Sequence, residues 1–262
     1  MSDQSSQKPD QNGPLHGIRV LVTRPAMTAD PLVIGLEKHG AETVRHAMID
    51  YSGAPDPARL VSIAGRLDQF CMLAFLSRHA ASAFDEQTSP SKESIPPIGA
   101  IGIGTRECLQ QRGYEVEFLP QKSDSESMAE ILIERFQSLG FSKPILILRA
   151  NRGSSVLPTA LTAANVPFEE FAVYQSLDVK EAEPAVLRDL ADGKIHWLTI
   201  TSSSIACNVA KLFADHIGDT KIASISPTTT QAATEAGLSV DAEATEYNMD
   251  GLVDAILRHE AT

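Results

Sequence analysis

Four stretches of this chain set hydroxyls or glycines where an apolar run gives way to a helical pattern. They are "LSRH" (76–79), "GIGT" (102–105), "TSSS" (201–204) and "SPTTT" (226–230). No Asp, Glu or Cys lies in any of them, so they hold no cluster of strong general bases. They offer something else. A helix start exposes N–H groups without an intrahelical acceptor and carries a partial positive charge, which together attract anions. Ser and Thr there cap the helix and can also turn a hydroxyl toward a bound group. For one loop alone an ordinary cap is the simpler reading. Four such loops, all at strand ends, point to an anion site built from Ser77, Thr105, Ser202, Ser203, Thr228 and Thr229.

Arginines stand beside these turns. Arg24 and Arg149 follow apolar strands, and Arg78, Arg106 and Arg152 lie at other strand-to-helix junctions. A guanidinium can grip a carboxylate or phosphate through two parallel hydrogen bonds. The chain has 22 Lys and Arg against 34 Asp and Glu, a net charge of −12. That balance argues against a nucleic-acid partner, and it makes five arginines near one sheet edge local positive ground for an acidic ligand. Tyr174, in "VYQS", stands where the chain crosses between domains. Its phenol could donate a proton or hydrogen bond into a cleft, or be an amphipathic interface residue.

Other chemistries are disfavoured. "GIG" (102–104) opens like a dinucleotide fingerprint, but Glu107 occupies the third glycine position, and there is no GK[ST] loop or GxSxG elbow. The seven His residues are scattered without metal-ligand spacing, so neither a metal nor another cofactor is expected, and His79 and His196 read as packing or surface residues. Cys71, Cys108 and Cys207 lack CxxC spacing and read as buried thiols in a reducing compartment. The polar start "MSDQSSQKPDQNGP" is neither a secretory signal nor an anchor, and no run reaches membrane-spanning length. The expectation is a soluble, cytoplasmic, monomeric protein with a flexible tail over 1–14.

The elements that must position these residues alternate along the chain. Apolar runs at 18–23, 71–76, 98–103, 114–118, 144–149, 197–201, 221–226 and 238–242 read as strands, each followed by a helical pattern. Strands alternating with helices mean a parallel sheet covered on both faces. The chain also repeats itself. Ile98, Ile101, Thr105 and Gly113 fall on Ile222, Ile225, Thr229 and Gly237, 124 positions on. Ser77 falls on Ser202 and Arg24 on Arg149, 125 positions on. Two similar α/β domains follow, with crossings near "HAMIDYSGAPDP" (46–57) and "FAVYQSLDVKEAEP" (171–184).

Taken in order, these blocks resemble the uroporphyrinogen-III synthase family. They are "VLVTRP" (20–25), "LSRHAA" and "TSSSIA", "IGIGT" and "SISPTT", "VYQ" (173–175) and the closing "NMDGLVDAIL". Leu76 stands in place of the family's first-repeat Thr, and Ser226 in place of a Gly. The resemblance implies two doubly wound, flavodoxin-like parallel-sheet domains joined by a two-stranded linker, with a cleft between them. It implies one domain over 15–47 and 177–262, another over 52–172, and crossings at 48–51 and 173–176. The implied substrate is hydroxymethylbilane, a linear tetrapyrrole polycarboxylate, closed to uroporphyrinogen III with inversion of the last ring, loss of water and no cofactor. Tyr174 would then assist departure of the hydroxyl. Arg24, Ser77, Arg78, Thr105, Arg149, Ser202, Ser203, Thr228 and Thr229 would hold substrate. Two other readings share the fold: a non-catalytic module binding a small polyanion, and a nucleotide or sugar-phosphate enzyme.

Overall fold

A computed structural model describes residues 13–25, 30–92 and 95–261. The tail expected over 1–14 lies outside the described residues except for Gly13 and Pro14. The chain divides into two compact units, one comprising Met1–Asp50 with Leu177–Thr262 and the other Tyr51–Ser176.

The first unit holds a five-stranded sheet. Its strands are β1 (Arg19–Val22), β2 (Glu42–Arg45), β8 (Trp197–Ile200), β9 (Lys221–Ser224) and β10 (Ala242–Glu243). They lie in the order β10-β9-β8-β1-β2, and every pair is parallel. On one face α1 (Pro31–Lys38) and α10 (Met249–Glu260) bury Leu32, Leu36, Leu252 and Ile256 against Val20, Val22 and Trp197. On the other, α7 (Pro184–Ala191), α8 (Ser203–Phe213) and α9 (Pro227–Glu235) bury Leu190, Val209 and Phe213 against Leu21, Leu198 and Ile200. Burial on both faces explains why "WLTI" is closed to solvent at every position instead of alternating.

The second unit is built the same way. Its sheet runs β3-β7-β6-β4-β5, from β3 (Ile49–Ser52), β4 (Met72–Phe75), β5 (Ile98–Ala100), β6 (Ile145–Ala150) and β7 (Phe168–Asp178). An isolated parallel bridge joins Gly99 to Phe118 at its edge. One face packs α2 (Pro57–Ala64), α3 (Arg78–Thr88) and α4 (Ile103–Gln111), the other α5 (Ser125–Ser138) and α6 (Val156–Ala163). Both orders are doubly wound: numbered along the chain, β2-β1-β8-β9-β10 is 2-1-3-4-5, and the Phe118 bridge with β5-β4-β6-β7 is 3-2-1-4-5. The offset of about 125 carries α3 onto α8, α4 onto α9 and α6 onto α1.

Two expected strands shrink. Residues 114–118 contribute only the Phe118 bridge, and 238–242 only the two-residue β10. Both follow a glycine with positive φ, Gly113 and Gly237, which turns the chain out of the preceding helix at the sheet edge. No described helix is long and apolar enough to cross a membrane.

Candidate active site

In a doubly wound sheet the carboxyl ends of the strands are the edge where ligands bind. In the second unit that edge is made by the ends of β4, β5, β6 and β7. Ser77 caps α3: its backbone is extended, and its Oγ accepts the Ala80 N–H at 2.9 Å. The same Oγ lies 3.3 Å from the Tyr174 hydroxyl, and either oxygen can be the donor. Three rings close around this contact. Tyr51 stands edge-on to Tyr174 with centroids 5.5 Å apart, and His79 lies 4.1 Å from Tyr51 and 5.6 Å from Tyr174. Tyr174 is 9% exposed, whereas Tyr51 and His79 are open to solvent.

The placement of Tyr174 rests on an irregularity. The register of β6 on β7 runs Leu148↔Phe171 and Arg149↔Ala172, then jumps to Ala150↔Tyr174. Val173 is passed over. Alternation would send Tyr174 to the face opposite Val173. Instead Phe171, Val173 and Tyr174 all pack in the core beneath α2, α3 and α4, because a bulge re-aims the residue that follows it.

The five arginines divide. Arg24 Nη1 donates to Asp30 at 3.0 Å, and the buried Asp30 also caps α1 through the Leu32 N–H. Arg149 Nη1 donates to Glu170 at 2.8 Å and Nη2 to the Ser154 carbonyl. Arg152 donates to Ser176 Oγ at 3.2 Å. By contrast, the Arg78 and Arg106 guanidiniums form no hydrogen bond or ion pair among the described residues. Both sit in the first turn of a helix, where a cation opposes the helix dipole. An arriving carboxylate would relieve that opposition.

The first unit presents matching turns. Ser202 caps α8 by accepting the Ile205 N–H, and Ser226 caps α9 by accepting the Thr229 N–H, both from extended backbone like that of Ser77. Ser203 is half-buried and Thr228 exposed. Thr105 and Thr229 are each under 5% exposed, and the Thr229 hydroxyl sits 3.1 Å from Ser226 Oγ. Thr230 bridges Ser224 and the Glu243 carboxylate.

A further difference concerns the thiols. All three cysteines are free, but only Cys71 is buried, with burial pushing its thiol up; Cys108 is half-buried and Cys207 exposed. His79, read from the sequence as a packing or surface residue, is exposed and packs on the Tyr174 ring. Its position two residues after Ser77 on a helix start was the available signal; Tyr51 gave none, because its neighbours come from distant parts of the chain. Two cavities, of about 450 Å³ beside Lys221 and about 520 Å³ beside Cys71, open at the amino ends of the strands and are lined by none of the expected site residues.

Comparison with known proteins agrees. The family described as Uroporphyrinogen-III synthase HemD matches residues 30–254. The chain is 25% identical over 256 residues to the uroporphyrinogen-III synthase of Synechococcus elongatus, covering 93% of this chain and 96% of that one. It is 26% identical over 196 residues to the porphyrin biosynthesis protein HemD of Ruminiclostridium josui, 73% of this chain but 38% of that protein. The crystal structure of uroporphyrinogen-III synthetase from Helicobacter pylori superposes with a TM-score of 0.62 at 19% identity, over 92% of this chain and 99% of that one, which shows a shared fold.

Proposed function

The chain belongs to the uroporphyrinogen-III synthase family, and from that premise we propose how its residues serve the reaction. It is an enzyme that closes hydroxymethylbilane to uroporphyrinogen III, inverting ring D with loss of water. The linear tetrapyrrole is a flexible polycarboxylate, and departure of its terminal hydroxyl leaves a reactive azafulvene. Undirected closure gives the other isomer, so the protein must chiefly hold one conformation while the ends meet.

The observation that carries the site assignment is the Tyr174–Ser77 contact at a helix start whose first-turn arginine is unengaged. Ser77 Oγ takes the Ala80 N–H and meets the Tyr174 oxygen. With Ser77 donating to that oxygen, the phenol proton is directed elsewhere, to the departing hydroxyl. Proton donation to the leaving oxygen lowers the cost of C–O cleavage, which releases water as the pyrrole nitrogen's electron pair forms the azafulvenium cation beside the tyrosinate. Loss of the pyrrole N–H proton then gives the azafulvene. Arg78 and Arg106 pair with substrate carboxylates on the strand ends of the second unit. In the first unit, Ser202, Ser203 and Thr228 with the free N–H groups of α8 and α9 supply uncharged donors. Arg24 and Arg149, neutralised by Asp30 and Glu170, serve as supports for the strand ends. The protein works in the cytoplasm as a monomer.

Incubation with hydroxymethylbilane, followed by separation of the cyclised isomers, tests the reading. Isomer III in excess over the enzyme-free control is expected. A product mixture matching that control would sink it and leave a polyanion-binding module.

A further inference from the structure

Gln87 is one of several polar side chains of α3 that the proposed chemistry leaves unused. Gln87, near the end of the helix, is half-buried and reaches three backbone groups. Its Nε2 donates to the Ala83 carbonyl at 2.8 Å and to the Val173 carbonyl at 2.9 Å. Its Oε1 accepts the Ala54 N–H at 3.1 Å. Both amide hydrogens are therefore used, which fixes the amide's orientation.

The contact with Val173 falls on the bulge. Val173 is the residue passed over in the β6–β7 register, and a bulged residue loses its partner in the ladder. A buried carbonyl left without a donor is costly, so something must satisfy it. Gln87 does so from the helix that Ser77 caps. On the far side of the bulge, Asn151 holds the chain in a complementary way. Its N–H donates to the Tyr174 carbonyl at 3.1 Å, and its Oδ1 accepts the Ser176 N–H at 2.8 Å. The irregular segment is thus pinned on both sides of Tyr174. Were Val173 to slip back into register, Tyr174 would turn to the opposite face and leave Ser77.

We infer that Gln87 is a positioning residue for the reaction: by holding the Val173 carbonyl it keeps the bulge formed and the Tyr174 hydroxyl on Ser77. The inference rests on the reading of Tyr174 as the proton donor. It differs from ordinary helix packing because the bond is made to the residue that sets which face Tyr174 takes.

Two replacements test it. Gln87→Met keeps the length and removes every hydrogen bond. Gln87→Glu keeps an acceptor for Ala54 N–H and removes the donor to Val173. Each is compared with the parent and with Tyr174→Phe, below its own melting transition, for kcat, KM and isomer ratio on hydroxymethylbilane. The 13C ring resonances of the tyrosines are recorded in parallel, Tyr174 being assigned by its loss in Tyr174→Phe. Expected are a displaced or broadened Tyr174 ring signal and a kcat lowered about tenfold, as for a displaced catalytic group, with KM within about twofold. In the Tyr174→Phe background, Gln87→Met should then add nothing, since the two changes act through one group. An unmoved Tyr174 signal in both variants overturns the inference, as does equal slowing in the Tyr174→Phe background. Full turnover in Tyr174→Phe itself would instead overturn the role of Tyr174, and a control-like isomer mixture from the parent would overturn the function, with the ring signal still reporting on Gln87.

Discussion

Tyr174 and Val173 are chain neighbours on a strand, yet both side chains enter the same core. The slipped register of β6 on β7 accounts for it and sets the Tyr174 hydroxyl 3.3 Å from Ser77 Oγ. Tyr174→Phe keeps the ring and deletes the hydroxyl, so turnover should fall several-fold to about a hundredfold with the fold intact, the range for losing an acid group. Steady-state kinetics check this, and unchanged turnover would remove Tyr174 from the mechanism. The arginines give a contrast at the same scale. Arg78→Ala should raise KM for hydroxymethylbilane about tenfold, as expected for one lost charge-assisted pairing, without lowering the melting temperature. Arg24→Ala should do the reverse, because it strips the partner from Asp30, which is 2% exposed. Parallel kinetics and thermal melts separate the two.

Among the elements, the helix starts are the repeated device. Ser77, Ser202 and Ser226 adopt nearly the same extended backbone and each accepts the N–H three residues on. At the fourth start Gly102 offers no side-chain cap, because an added Cβ would stand 2.4 Å from Ser123 Oγ. Any side chain there would have to displace the Ser123 hydroxyl. A cap hydroxyl stabilises its helix by about 1 kcal/mol, so Ser202→Ala should cost about that much in denaturant unfolding. The same variant should keep measurable activity, since the neighbouring N–H groups and Ser203 share the hold. A folded Ser202→Ala protein without detectable activity would contradict that distributed grip.

For the molecule as a whole, the matched units follow from a repeat whose offset of about 125 carries α3, α4 and α6 of one unit onto α8, α9 and α1 of the other. Stability should depend on pH through buried groups. His46 is 6% exposed, and burial holds its imidazole below the usual 6.5, partly countered by Glu183. Because the folded state resists the proton that the unfolded chain accepts, stability should fall as pH drops below about 6.5 and level off below the folded value. Asp124, held below its ordinary 3.8 by the Ser127 N–H at the start of α5, should add a second loss as pH falls through that range. Melting temperatures between pH 8 and 3 give the profile, and His46→Gln should flatten the first step only.

The alternation of apolar runs with helical patterns was enough to reveal two parallel sheets, since strands buried on both faces must be apolar throughout. The internal offset and the Ser-rich turns were equally legible, because helix capping is a local interaction between residues three apart. Contacts across long separations were not. No pattern in "FAVYQS" shows the slipped register on β6. Helix phase turned Thr105 and Thr229 inward, which the hydroxyl pattern of their turns does not show. Gln87 reads as one more polar residue on a helix until Val173 arrives beside it, 86 positions along the chain. Local propensity chose the elements; packing between distant segments chose which polar groups were satisfied internally and which were left for a substrate.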